Sequence, residues 1–201
     1  IASDTDVPPV LAASVAAIAP MQVTAAPRTL NSDLVATFQL AASVAAVTAL
    51  PMSAIGSDFT RPYWPEDRRN EGAPANAAIR MATPGYFVTL GLPVTAGREF
   101  TDGDDAAAIR VVVVNQTLAS AAWGTANPVG RRLMLDYQGG VYPYDVVGVV
   151  QDARGDGPRS QPVPEMFIPH AQNPYLVMNV IARTTLDPAA VASTARAHAL
   201  R

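Results

Sequence analysis

The 201-residue chain contains no cysteine, which rules out a disulfide framework, thiolate catalysis and any metal site built on sulfur. Lysine is also missing: all 14 basic residues are arginine. Schiff-base chemistry and the phosphate-binding lysine of a P-loop are excluded with it. Histidine is scarce, with His170 and His198 far apart in sequence, so a histidine-rich metal centre is nearly excluded. Charged residues make up only 15% and the net charge is −3. No basic stripe is available to replace phosphate counterions, and nucleic-acid binding is set aside. Long, strongly apolar runs are absent too. Residues 7–27 and 34–57 carry no charge, but both are mostly alanine and both contain proline, at Pro20 and Pro51. A spanning helix wants about 20 strongly apolar residues; these segments read instead as buried parts of a soluble fold. The chain starts at Ile1 without a basic leader, so a signal peptide is expected to be absent or already removed.

What is present suffices for an ordinary core. Hydrophobic residues reach 49%, enough for one large domain or two small ones. Residues 10–19 fit a helical face through Leu11, Val15 and Ile18, and fit a strand by length and flanking prolines; both readings stand. Asn31, Ser32 and Asp33 offer cap oxygens to a helix with Leu34, Phe38 and Ala41 on one face, yielding near Ser43 to a strand over 44–50. The polar, proline-rich stretch 57–75, with Glu66-Asp67-Arg68-Arg69, reads as a long surface loop. Ala77, Ile79 and Met81 alternate with Arg80 as in a half-buried strand.

Thr83-Pro84 has the form of a helix N-cap with proline at the first position, and Gly91 that of the C-cap of a short helix burying Phe87 and Leu90. The run Val111 to Val114 predicts a strand covered on both faces. Asn115 caps a second helix carrying Leu118 and Trp123 and stopped by Gly124. Leu133 and Leu135 share a strand face, Gln138-Gly139-Gly140 turns, and 144–150 returns. A further turn is expected at 155–158, a short edge strand between Pro164 and Pro169, a longer strand over 175–184, and a last helix from Asp187-Pro188.

Four blocks carry a resemblance. TPGYFVTLGLPVTAGREF spans residues 83–100; VVVNQTLA (112–119), Trp123-Gly124 and NPVGRRL (127–133) follow; then DVVGVVQDAR (145–154) with PEMFIP (164–169); then VIART (180–184) with Asp187-Pro188. In order and spacing these resemble the MacB-like periplasmic core domains of FtsX/MacB-type ABC-transporter permeases, over roughly the last two thirds of the chain. The first third departs from the pattern, with Ala42-Ser43-Val44 where the family often has Pro-Gly-Val.

The resemblance implies an α+β fold: a porter-like βαβ layer from residues 1–87 and 172–201, with a small α/β lobe of residues 88–171 inserted. It implies an extracytoplasmic domain of a bacterial inner-membrane permease that couples cytoplasmic ATP hydrolysis to periplasmic transport or partner activation. The implied partners are the permease's own transmembrane helices, a cytoplasmic ATPase, a second copy and a periplasmic protein. No catalytic, cofactor-binding or metal residue is implied. The alternatives are a periplasmic ligand-binding module, or a hydrolase using carboxylates in an interlobe cleft.

Several residues invite a sharper reading. Asp102-Gly103-Asp104-Asp105 is dense in acid, but lacks the spacing and twelfth-position glutamate of an EF-hand; it reads as a turn, with Thr101 or Asp102 capping a short helix. Gly155-Asp156-Gly157 lacks the helix start that phosphate binding needs. Asp145, Asp152 and Glu165 are the carboxylates for the hydrolase alternative; at strand ends they are expected to be solvated or paired with arginines such as Arg154. His170 is expected in solvent and His198 against the porter layer, with no G-x-S-x-G elbow to serve. Arg98, after Gly97, is expected to bind carbonyls at a lobe junction. Tyr86, Phe87 and Trp123 are expected in the core.

Overall fold

The computed structural model describes residues 21–24, 42–50, 59–69, 72–153, 161–175, 177–184 and 187. The segment 10–19, the helix expected after Asn31, the turn at 155–158, the closing helix beyond Asp187 and His198 lie outside them. Among the described residues, ten strands and two short α-helices follow in the order β1 (Met21–Thr24), β2 (Ser43–Val47), β3 (Phe59–Pro65), β4 (Ala75–Ala82), α1 (Tyr86–Leu90), β5 (Val94–Gly97), β6 (Val111–Asn115), α2 (Gln116–Trp123), β7 (Arg132–Tyr137), β8 (Gly140–Val150), β9 (Glu165–Pro169) and β10 (Val177–Arg183), with one 3-10 turn, Glu66–Arg68, after β3. Among the described residues no helix is long and apolar enough to cross a membrane.

All ten strands belong to one mixed sheet, ordered β1-β10-β2-β4-β3-β7-β8-β6-β9, with β5 on β8 and an extra ladder between β4 and β9. That extra ladder matters most. It runs parallel from Ala78 opposite Glu165 to Ala82 opposite Pro169, and it joins the two ends of a path, so β4, β3, β7, β8, β6 and β9 close into a ring of six strands. Strand alternation then assigns two faces. Ile79, Met81, Val112, Val114, Leu133, Leu135, Tyr144, Met166 and Ile168 form one buried cluster inside the ring. Their neighbours Val111, Val113 and Phe167 join a second cluster on the outer face, with Tyr86 and Phe87 of α1, Val47 and Ile181. A one-residue bulge in β8, where Val112 faces Val146 but Val113 faces Gly148, restores the alternation after Val147.

Local chemistry explains the elements. The side chain of Asn115 accepts from Leu118 N at 2.9 Å and so caps α2, as expected. Gln138 and Gly139 both adopt positive φ, 53° and 80°, giving the tight hairpin that sets Tyr137 opposite Gly140. Gly97 sits at φ 70° with its α-carbon against the backbone of Val147; a side chain there would push β5 off β8. Helix α2 follows the end of β6, and Leu118, Ala122 and Trp123 enter the inner cluster, closing that end of the ring.

Three expectations are corrected. Residues 59–65, read as loop from their prolines and charge, form β3, because Phe59 and Tyr63 alternate into the interior and Tyr63 is fully buried. The strand between Pro164 and Pro169 is no edge: β9 is buried throughout and paired on both sides, by β4 and β6. Pro164 precedes the ladder and Pro169 is its last pair, positions where a missing N–H is tolerated. Thr83 does not cap α1; Gly85 takes that position in a left-handed conformation, completing a Pro84-Gly85 turn closed by Tyr86 N to Thr83 O at 3.3 Å.

Trp123 is 5% exposed within the inner cluster. Trp123→Ala is expected to cost about 3–5 kcal/mol, measured as a lower denaturant midpoint at unchanged slope. An unchanged midpoint would remove α2 from the core.

Candidate functional site

The most organised non-core region lies where β10 leaves the sheet. Strand β10 runs between β1 and β2, with Met21 opposite Val180 and Ser43 opposite Arg183. The start of β1, the start of β2 and the end of β10 therefore lie together at one end of three adjacent strands. Arg183, the last residue of β10, turns its guanidinium onto α1: Nε donates to Thr89 O at 3.3 Å, and Nη2 to Val88 O at 3.3 Å and Thr89 O at 3.1 Å. They lie at the helix end, where carbonyls carry partial negative charge; Thr89 O accepts from Arg183, while Val88 O also accepts from the cap. Gly91, left-handed at φ 77°, completes the cap with Gly91 N to Val88 O at 3.1 Å and Leu92 N to Phe87 O at 2.8 Å.

Helix α1 is in turn fixed to the ring. Phe87 packs edge-on to Phe167 of β9 with centroids 5.1 Å apart, and touches Tyr86 and Phe100 at 5.2 Å and 5.9 Å. Tyr86 is buried, and its phenol is pushed well above its ordinary value by burial, against Arg80, with Glu165 adding to the rise. At the other end of α1, Gly85 N donates to Glu99 Oε1 at 2.8 Å. Thr83 Oγ1 accepts from Ala46 N of β2 at 2.8 Å.

Just beyond, Arg98 forks onto Asp104 at 2.7 Å and 2.8 Å. Asp104 also accepts from Thr101 N at 2.8 Å and Thr101 Oγ1 at 3.2 Å. The hydrogen bond from Arg98 holds the Asp104 carboxyl below the usual carboxylate range, and the contacts to Thr101 add to this against the cost of burial. The residues of the 83–100 string are thus successive parts of one assembly: turn, helix, cap, strand β5 and the fork that locks the following loop.

The candidate residues singled out above are not brought together. Asp145 pairs with Arg132 at 3.1 Å on the surface. Asp152 accepts from Thr117 N and Thr117 Oγ1, both at 2.9 Å, bracing the start of α2. Glu165 is buried and receives Arg80 Nη2 at 2.9 Å and Nε at 3.2 Å. Three carboxylates with three different partners make no acid/base pair. The turn expected at Asp102-Gly103-Asp104-Asp105 is present, with Asp104 buried as its acceptor, but the short helix expected to be capped by Thr101 or Asp102 is not. Arg98 binds one carbonyl, its neighbour's Glu99 O at 2.9 Å, and spends the rest on Asp104. His170 is half-buried rather than in solvent, with Nε2 at 3.2 Å from both the N and the O of Tyr175. Among the described residues no group of three or more His, Cys, Asp or Glu side chains could hold a metal ion.

What the fold and this seam define is a sheet-dominated α+β domain whose first and last described strands are neighbours. A family model described as the MacB-like periplasmic core domain matches residues 3–198; the chain belongs to that family. Among curated proteins it is 28% identical over 94 residues to an uncharacterized ABC transporter permease, YknZ, of Bacillus subtilis (strain 168), a match covering 47% of this chain and 22% of the relative. The chain thus spans about a fifth of that relative's length. Among solved structures, the extracellular domain of the noncanonic ABC-type transporter YknZ from Gram-positive bacteria superposes with a TM-score of 0.53 at 19% identity, covering 86% of this chain and 82% of that one. The periplasmic region of MacB from Actinobacillus actinomycetemcomitans gives 0.55 at 18% identity, covering 82% and 69%. At those identities the likeness is one of fold.

Because the folded Asp104 carboxyl is held below its unfolded value of about 4, the fork contributes stability that is complete above that pH and lost as pH falls through the folded value. Asp104→Asn is expected to lower the melting temperature at pH 7 and to flatten its decline below pH 5. An acid limb as steep in the variant as in the parent would dissociate the loop lock from acid sensitivity.

Proposed function

We propose that this chain is the extracytoplasmic domain of an ABC-transporter permease and that it couples nucleotide-driven movement of membrane helices to events outside the membrane, without chemistry of its own. Membership of the MacB-like periplasmic core domain family supports the location. The observation that carries the coupling is the seam at Arg183. The last residue of β10 is paired with the first of β2 and bonded to the end of α1, which packs on β9 of the ring. A displacement delivered beyond β10 therefore reaches the ring by two routes, one through strand pairing and one through the helix. The start of β1 and the end of β10, neighbours at one end of the sheet, suit a domain seated on adjacent membrane helices.

The intact permease with its ATPase tests both parts. Val88, on α1 at the seam, is 64% exposed, and Val163, on the loop before β9, is 51% exposed. In otherwise cysteine-free permease, Val88→Cys and Val163→Cys are expected to react with a membrane-impermeant maleimide added outside the inner membrane. Val88→Cys should change its rate between nucleotide-free and ATP-trapped states, while Val163→Cys keeps its rate. Protection of both from the impermeant reagent would refute the location. Equal rates at Val88→Cys in the two nucleotide states would refute the coupling route through α1.

A further inference from the structure

The inward positions of the six-stranded ring change chemistry at one end. Through its middle they are aliphatic, Val112, Leu135, Ile79 and Met166 among them. At the end where β6 and β8 begin, alternation places Arg61 of β3, Tyr137 of β7 and Tyr142 of β8 on the inner face, with Arg110 one residue before β6 in phase with Val112. The side chains agree. The guanidinium carbon of Arg61 lies 5.8 Å from the ring centres of both Tyr137 and Phe59, and that of Arg110 lies 4.5 Å from the centre of Tyr142. Tyr137 and Tyr142 are diagonal neighbours across the β7–β8 ladder, about 7–8 Å apart, so the two cations stand over adjacent rings.

The loop from β9 to β10 crosses the same end. Its Asn173 is 4% exposed. Asn173 Oδ1 accepts from Tyr144 OH at 3.4 Å, while Nδ2 is buried without a protein partner. A buried amide donor left unmatched is costly and calls for an acceptor. The arginines present a similar demand. Arg80, Arg98, Arg131 and Arg132 each hold a carboxylate, yet neither Arg61 nor Arg110 has one within 4.0 Å among the described residues. Arg61 spends one N–H on Thr60 O at 3.3 Å. Stacking on an aromatic ring occupies the flat face of a guanidinium and leaves its N–H edge, the edge that matches the two oxygens of a carboxylate or phosphate.

We propose that this mouth of the ring is a binding site for an oxyanion, a carboxylate or phosphate group, held by Arg61 and Arg110 with the Asn173 amide as the neutral donor. The aromatic rims of Tyr142 and Tyr137 supply the walls, as in other barrel mouths that combine apolar lining with a few convergent polar groups. The inference goes beyond the coupling reading and does not depend on it.

The test uses the 15N-labelled chain at constant ionic strength, with inorganic phosphate and a tetraglutamate peptide as probes and chloride as the reference anion. The Arg61 and Arg110 Nε–H signals and the Asn173 side-chain amide are expected to shift saturably with at least one probe. Saturation by phosphate alone identifies a small anion or headgroup as the source, and by the peptide alone an acidic polypeptide. Arg110→Gln, at an exposed position where folding is not at risk, should weaken the response about tenfold or more, the loss of one charge-assisted contact. Arg61→Gln should do the same with an unchanged melting temperature. Shifts that match the chloride reference, or saturable shifts that survive Arg110→Gln at full strength, would overturn the proposal and leave water as the partner of Asn173.

Discussion

The parallel ladder between β4 and β9 is the constraint on which the rest of the structure depends. Without it the ten strands would be a branched sheet with an open edge; with it six of them enclose a core. A parallel pair far apart in sequence is entropically expensive to bring together, and here it is secured by an ion pair. Arg80 of β4 and Glu165 of β9 lie on the outer face, 5% and 3% exposed, joined at 2.9 Å and 3.2 Å. Burial of two charges gains little over an apolar pair of the same volume. It is strict about geometry, however: slipping β9 by one residue would turn Glu165 and Phe167 inward together and leave Arg80 buried on the outer face without that carboxylate. The pair acts as a register device for the closing ladder, and Asn115 reinforces it by accepting from Glu165 N at 3.0 Å while capping α2.

The segments 1–87 with 172–201 and 88–171 are joined more extensively than by a covalent crossover. The β3–β7 and β4–β9 ladders each pair a strand from one segment with a strand from the other, and the inner cluster draws on both, with Ile79 and Met81 beside Val112 and Met166. A motion that separated the two segments as bodies would have to break hydrogen-bonded strands. Movement within this sheet is cheaper where pairing is already sparse.

Much of this was legible in the residues. The buried valine strand β6, the Asn115 cap, the Gln138-Gly139 hairpin and the aromatic anchors follow from short-range rules, because alternation, capping and turn chemistry act within a few residues; the α+β class came with the family resemblance. What was not legible is long-range. Nothing near Glu165 marks Arg80, 85 residues away, as its partner, and the prolines flanking β9 argued for an edge when closure made it central. Pro62 and Pro65 argued for a loop where Phe59 and Tyr63 mattered more. Arg183 looked like the end of a strand; its role at the C-terminus of α1 depends on a contact 94 residues back in the chain. The proposed oxyanion site had no local signal either, since Arg61, Arg110 and Asn173 come to one end of the ring only once it has closed.

The sparse pairing lies between β2 and β4. That junction has one directly opposed pair, Val47 with Ala82, against five for β10 with β2 and five for β4 with β9. Two threonines reinforce it from either side: Thr48 Oγ1 accepts from Met81 N at 3.1 Å, and Thr83 Oγ1 accepts from Ala46 N at 2.8 Å. Asn179 of β10 adds a buried bond to Thr48 O at 2.9 Å. Backbone bonds run the other way, Thr48 N to Met81 O at 3.0 Å and Thr83 N to Ala46 O at 2.9 Å, so the two hydroxyls replace only the reciprocal ladder bonds where β2 meets the ring. Such bonds are satisfied at small angular displacements and lost at larger ones, whereas a long ladder resists both. Under the coupling reading, β1, β10 and β2 tilt as a unit against the ring about this short junction. Arg183 is then the second tether: it holds α1, seated on Phe167, to the moving strand and sets how far the tilt can proceed before the ring must follow.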